Sequence, residues 1–407
     1  MFSSFVQRCF LRPQSLRSQS LRALMLILVL ILALASSHPQ GGQAAAFQPP
    51  VWLPMVSYQL PPPPPPPDWS GAQGSIICLL TDPRDPNLIY AGTWGGGVFR
   101  SEDQGDTWSW AGSGMSNYLV ESLAMDPTDS RILYAGTHGG GIFKTTNGGQ
   151  SWLFAGSGLQ ADAAVYAIAV HPGNNQVIFA GTRKIGTGLQ APYQGILYKS
   201  DNGGASWYPV LTDVGGPQAQ DWVYSIAIKA NPPTILVATH EHGPYLSTTG
   251  EPGDWQPAHV RGLDDYGKGR AVAFDPRPDS TTAYYATWHG GFYRSTDNGH
   301  NWFLHTNDLN QIKVYPNGLA FGWERPDLLY AATMDTGAGV MKSINGGYEW
   351  ESFGLNSQAI YTVASMYPDG EVVLAGTAGE GIFKSVNGGN TWSHSNTGLE
   401  IHPNASP

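Results

Sequence analysis

The sequence predicts an all-β chain folded as a single β-propeller of seven four-stranded antiparallel blades. Three observations predict it. An eight-residue turn of the form Ser/Thr-x-Asp/Asn-x-Gly-x-x-Trp recurs along the chain. Four short β-branched or aromatic runs, separated by Gly, Pro, Asn and Asp clusters, accompany each copy. The turn tryptophans stand 42 to 55 residues apart, the length of one propeller blade and too long for a β-solenoid turn. Composition agrees: Gly 51, Tyr 19 and Trp 14 in 407 residues, with 13% charged, fit neither a disordered chain nor a helical bundle.

Taken from the N-terminus, residues 1–35 read as a secretory signal. Arg8, Arg12, Arg17 and Arg22 precede an apolar run from Ala23 to Ala35, thirteen residues long. That is short of the ~20 a spanning helix needs. Small-x-small cleavage sites end at Ala35 and Ala46, so the segment extends to residue 46 if the second is used. The alternative is an uncleaved signal anchor, the chain's one expected membrane contact. Cleavage leaves 17 basic against 31 acidic residues, a balance that argues against nucleic acid as a partner. Cys78 is then the one remaining cysteine, so no internal disulfide forms and a large core must carry stability.

Residues 36–68 form a Pro-rich linker ending in seven consecutive prolines, Pro61 to Pro67. Such a run favours the stiff polyproline II form, and reads as a spacer holding the body off a surface or as an SH3-type ligand, the spacer being favoured outside a cytoplasm. The propeller is expected over 69–400, with 401–407 a disordered tail. Every unit runs from inner to outer strand, which leaves open whether the ring closes by packing alone or through a shared strand.

The turn explains itself physically. An Asp or Asn accepts bonds from the turn backbone, Gly supplies a positive φ, the hydroxyl bonds locally, and Trp buries its ring. The copies are Asp103-Gly105-Trp108, Asn147-Gly149-Trp152, Asn202-Gly204-Trp207, Asp297-Gly299-Trp302, Asn345-Gly347-Trp350 and Asn387-Gly389-Trp392, with a degenerate seventh from Ser247 to Trp255. Four of the six Asx positions are uncharged, against a calcium loop, so no metal or cofactor is expected.

This turn resembles the Asp-box, or BNR repeat, of the sialidase, xyloglucanase, sortilin and photosystem II assembly factor families. The resemblance implies that the box joins the third and fourth strands of each blade. The opposite face then carries the second-to-third-strand turns and the interblade connections. After a recurrent Thr these turns differ from blade to blade, and they nominate Trp94, His138, Arg183, His240, Glu241, His242, Trp288 and His289 as ligand-binding residues, with Tyr266 from an interblade loop. A long turn from Gly181 to Gly195 is a candidate lid.

Function is less determined. Sialidases have six blades and an arginine triad, which this chain does not match, and sortilins add cysteine-rich modules. Xyloglucanases set paired catalytic carboxylates between two propellers, whereas this chain supplies one; Asp264, Asp265 and Asp335 on the presumed face are the catalytic candidates, with no pair singled out by a motif. The photosystem II assembly factors are single, exported, non-catalytic propellers. The reading is an exported, monomeric, non-catalytic propeller that binds a protein or glycan partner on its variable face. The alternative is an extracellular glycoside hydrolase.

Overall fold

The computed structural model describes residues 74–160, 162–184, 197–212, 221–261, 268–288, 291–306, 313–322, 324–334, 337–366, 368 and 370–399. The signal, linker and tail expected from sequence lie outside them. Seven sheets follow one another along the chain, each with four consecutive strands hydrogen-bonded in sequence order. Their inner strands are Ile76–Asp82, Val120–Met125, Ala163–Val170, Val223–Lys229, Lys268–Phe274, Val314–Phe321 and Ile360–Ser365. No helix occurs among the described residues. The fold is the expected seven-bladed propeller.

Two local differences stand out. Blade five carries a fifth strand, His259–Arg261, which pairs in parallel with its outer strand Asn301–Thr306. The long turn expected from Gly181 begins later, because the second strand of blade three continues from Ile178 to Lys184, pairing with Ala163–Val170. Residues 185–196 of that candidate lid lie outside the described residues.

The box does join the third and fourth strands, and its Oδ1 bonds are the same with Asp or Asn, while the second side-chain atom accepts as Asp103 Oδ2 from Thr107 and donates as Asn147 Nδ2 to Ser151. In blade one Ser101 Oγ donates to Asp103 Oδ1 (2.8 Å) and accepts from Gly105 N (2.8 Å), while Asp103 Oδ1 accepts from Thr107 N (2.9 Å). In blade two Thr145, Asn147, Gly149 and Ser151 repeat the pattern at 2.8, 3.1 and 3.0 Å. The Asx oxygen is consumed by the turn itself. In the degenerate box Asp254 takes over, accepting from Ser247 Oγ and from the amides of Thr248 and Thr249. Asp103→Asn should therefore cost under about 0.5 kcal/mol at pH 7, whereas Ser101→Ala should cost about 1–2 kcal/mol in urea unfolding.

Four of the seven box tryptophans bolt neighbouring blades together through Nε1, whereas Trp350 Nε1 donates to Gly347 O of its own box and Trp255 and Trp302 Nε1 find no acceptor among the described residues. Trp152 Nε1 donates to Ala111 O of blade one (2.6 Å), Trp207 to Ala155 O (2.7 Å) and Trp392 to Phe353 O (2.6 Å). Closure uses the same device: Trp108 Nε1 donates to Ser395 O (2.8 Å), Trp108 N to Thr397 O (2.8 Å) and Lys384 Nζ to Asp106 Oδ1 (2.7 Å). One core cluster spans this seam, joining Ile89, Phe99 and Trp108 to Leu374, Ile382 and Leu399. Each of these two blades is built from its own four consecutive strands, so among the described residues the first and last blades close by packing and hydrogen bonds, without a shared strand. Gly398 makes the approach possible: at φ +80° it passes so close to Trp108 O that an added Cβ would sit 2.0 Å away.

Candidate functional site

On the face opposite the boxes, the recurrent Thr of each second strand is buried and fixes the turn that follows. Thr93, Thr137, Thr239, Thr287, Thr333 and Thr377 each donate Oγ1 to a carbonyl four or six residues on, at 2.7–3.0 Å. The inner strand opposite this Thr slips register in every blade. A β-bulge re-aims the unpaired side chain. The residues at these slips are Ile77, Glu121, Tyr166, Tyr224, Arg270, Tyr315 and Tyr361.

Six of the seven, with Trp288 and Met334, line a cavity of about 210 Å³ at the mouth of the central channel. Tyr361 joins them by stacking on Tyr315 with ring centres 4.6 Å apart. A second cavity of about 340 Å³ lies toward the box end, walled by Leu79, Leu80, Leu319, Phe321 and Val363, with no titratable side chain. Of these two cavities, the one at the mouth is the one lined by titratable side chains.

An aromatic arc crosses blades one to five there. Trp94 meets His138 edge-on at 4.8 Å, His138 meets Tyr166 at 6.4 Å, and Tyr166 meets Tyr224 at 5.1 Å. Arg270 continues the arc, its guanidinium 4.4 Å from the Tyr224 ring centre and 4.1 Å from that of Trp288. Arg270 is 6% exposed, and its Nε has no hydrogen-bond partner among the described residues. A buried unpaired donor costs about 1–3 kcal/mol, so this position favours an acceptor brought from outside.

The buried carboxylates at the mouth are already engaged. Glu121 Oε1 lies 2.7 Å from His138 Nδ1. Asp221 Oδ2 lies 2.7 Å from His242 Nδ1, while Oδ1 accepts from Trp222 N and Glu241 N. Glu241 also pairs with Lys268 at 2.9 Å. Arg183 stacks on Trp222 at 4.7 Å, and Trp222 on His240 at 4.0 Å. Cys78 is unreactive, since burial, with Glu121 nearby, raises its thiol well above the usual range.

His240 is pushed down to about 3, by desolvation first and then by the charges of Arg270, Lys268 and Arg183. The unfolded imidazole binds its proton near pH 6.5, so this contribution is complete above that pH and is lost as pH falls toward 3. Denaturant unfolding between pH 7 and 4 should show stability falling with acid. His240→Phe should remove up to about 1.4 kcal/mol per pH unit of that slope.

Of the residues nominated by sequence, the structure places Trp94, His138, Arg183, His240, Glu241, His242 and Trp288 on this one face. His289, Tyr266, Asp264, Asp265 and Asp335 lie outside the described residues. Sequence reasoning missed Glu121, Tyr166, Tyr224, Tyr315 and Tyr361, and passed over Arg270 as a site residue. A signal was available: in blades one, two, three and seven the bulged residue stands sixteen positions before the recurrent Thr.

Comparison with known proteins fits this architecture. Residues 96–251 match the family model of sortilin (Sortilin-Vps10; neurotensin receptor 3). The chain is an Asp-box seven-bladed β-propeller. No curated protein matches this propeller by sequence. Among solved structures it is similar to the GH74 xyloglucanase from Xanthomonas campestris, with TM-score 0.62 and 20% identity over 81% of this chain and 55% of that one. It is also similar to YCF48 from Cyanidioschyzon merolae, with TM-score 0.53 and 15% identity over 79% and 97%. The extracellular domain of a putative hybrid two-component system from B. thetaiotaomicron aligns with TM-score 0.55 and 16% identity over 78% and 38%. The propeller spans about half the length of the GH74 enzymes it resembles. Identities this low speak to the fold alone.

Proposed function

We propose that this is an exported, non-catalytic propeller that binds a protein or glycan partner by taking part of it into the channel mouth. The observation that carries the reading is Arg270, held between Tyr224 and Trp288 in the wall of a cavity, with a buried Nε–H that lacks an acceptor among the described residues. Aromatic walls with a few fixed polar groups are what ligand sites are made of. Binding also needs no free carboxylate, and Glu121 and Asp221 are each tied to a histidine.

The mature chain should therefore bind members of a glycan or peptide array while releasing no reducing ends from any glycan. The hydrolase reading gains if reducing ends appear and Asp264→Asn or Asp335→Asn abolishes them with the fold intact.

A further inference from the structure

The buried side-chain atoms that lack a partner gather at one place on the mouth face. Among the described residues seven such atoms occur, and four of them are Arg183 Nε, Trp222 Nε1, His240 Nδ1 and Arg270 Nε. The other three, Arg100 Nε, Trp255 Nε1 and Trp302 Nε1, lie in boxes or directly before one. The four surround Tyr224: the Arg270 guanidinium lies 4.4 Å from its ring centre, His240 5.5 Å and Trp222 6.0 Å, with Arg183 4.7 Å from the Trp222 ring. Tyr224 and Arg270 line the mouth cavity, while Arg183 and Trp222 are partly exposed, so the cluster opens to solvent.

The charges there are as unmatched as the hydrogen bonds. Arg84, Arg100, Arg131, Arg277 and Arg325 each pair with a carboxylate. Arg183 and Arg270 have none within ion-pair distance among the described residues, where Glu121 faces His138, Asp221 faces His242 and Glu241 faces Lys268. A buried guanidinium without a counter-ion favours an anion brought from outside. The donors select its shape. Three N–H groups on three side chains exceed what the two coplanar oxygens of one carboxylate take up, whereas a sulfate or phosphate ester presents three oxygens at tetrahedral angles. His240 adds a different demand. Its Nε2 faces Glu241 Oε1 at 3.4 Å, which places the ring proton there and leaves Nδ1 as an acceptor. A sugar hydroxyl beside the ester supplies that donor; a phosphorylated peptide side chain carries no such hydroxyl.

We infer that the partner at the channel mouth is a glycan carrying a sulfate or phosphate ester, its oxyanion held by Arg183, Trp222 and Arg270 and a neighbouring hydroxyl by His240. Charge-assisted bonds from the two guanidiniums supply most of the affinity, and the neutral Trp222 N–H adds direction. The inference rests on the mouth being the binding site proposed above and names the chemistry that the site selects.

The test titrates the mature chain, at fixed salt and pH, with glucose 6-sulfate, glucose 6-phosphate, N-acetyl-O-phosphoserine, glucuronate and glucose, followed by ligand-observed NMR. At least one sugar ester should bind about 10-fold or more tightly than the other three probes, and the better of the two esters tells sulfate from phosphate. Arg270→Gln and Arg183→Gln should each weaken that ester about 10-fold or more, with near-UV circular dichroism confirming the fold. Trp222→Phe, which keeps the ring and removes the donor, serves as a further probe if either variant does not fold, and should also weaken the ester. The inference is overturned if glucuronate matches the esters, which would make the group a carboxylate. It is equally overturned if the phosphoserine probe matches them, which would make the partner a peptide, if neither ester binds, or if a bound ester ignores the substitutions. A neutral array ligand that loses affinity on Arg270→Gln while no ester binds would keep the mouth as the site and remove only the oxyanion.

Discussion

Trp108→Ala should destabilise the propeller by about 3–5 kcal/mol, as much as Trp152→Ala at an internal seam. Both indoles are nearly fully buried and both donate Nε1 across a blade boundary, at 2.8 and 2.6 Å. Equal cost is expected because the closing seam is built like the seam between blades one and two. A propeller that relied on a shared strand would place an extra covalent link there and would tolerate loss of the indole better. Removing Trp108 also strands the carbonyl of Ser395, whose own hydroxyl donates to Gly105 O. Urea unfolding of the two variants side by side checks the magnitude. Hydrogen exchange should show faster opening over 373–399 in Trp108→Ala only.

Arg270→Gln should weaken ligand binding by about 10- to 100-fold, the worth of about 1.5–3 kcal/mol for a hydrogen bond to a charged group. The side chain is held by two rings and its Nε donor has no partner among the described residues, so that donor does little stabilising work there. Unfolding free energy should accordingly change by under about 1 kcal/mol, because removing a buried, unpaired donor also removes its desolvation cost. Affinity for an array ligand and denaturant midpoint, measured on the same preparation, separate the two effects. Equal losses in both would make Arg270 a structural residue.

The fold was legible because its signals are repeated. Seven tryptophans at blade spacing, six of them after the same Asx-x-Gly turn, leave little freedom in how the strands pair. Ring closure was not legible, because Trp108 carries no mark of its own. Whether its indole reaches Ser395 or a strand of its own blade depends on how seven sheets wrap round. The parallel strand His259–Arg261 was missed for a related reason: three residues between two blades show no alternation long enough to read.

The site was legible by face and not by depth. Variable turns after the recurrent Thr pointed to Trp94, His138, His240 and Trp288. Register slips, which turn Glu121, Tyr166, Tyr224 and Arg270 into the channel, leave no trace in a strand's alternation of apolar residues. Only lining up the seven inner strands against the recurrent Thr exposes one such residue per blade.

The most direct test of the account is a crystal structure of the mature chain with an array ligand bound. The account predicts a ligand acceptor within hydrogen-bonding distance, about 3 Å, of Arg270, with the ligand against Tyr224 and Tyr315. A ligand seated on the box turns or the outer strands, with the mouth empty and Arg270 unengaged, would contradict it.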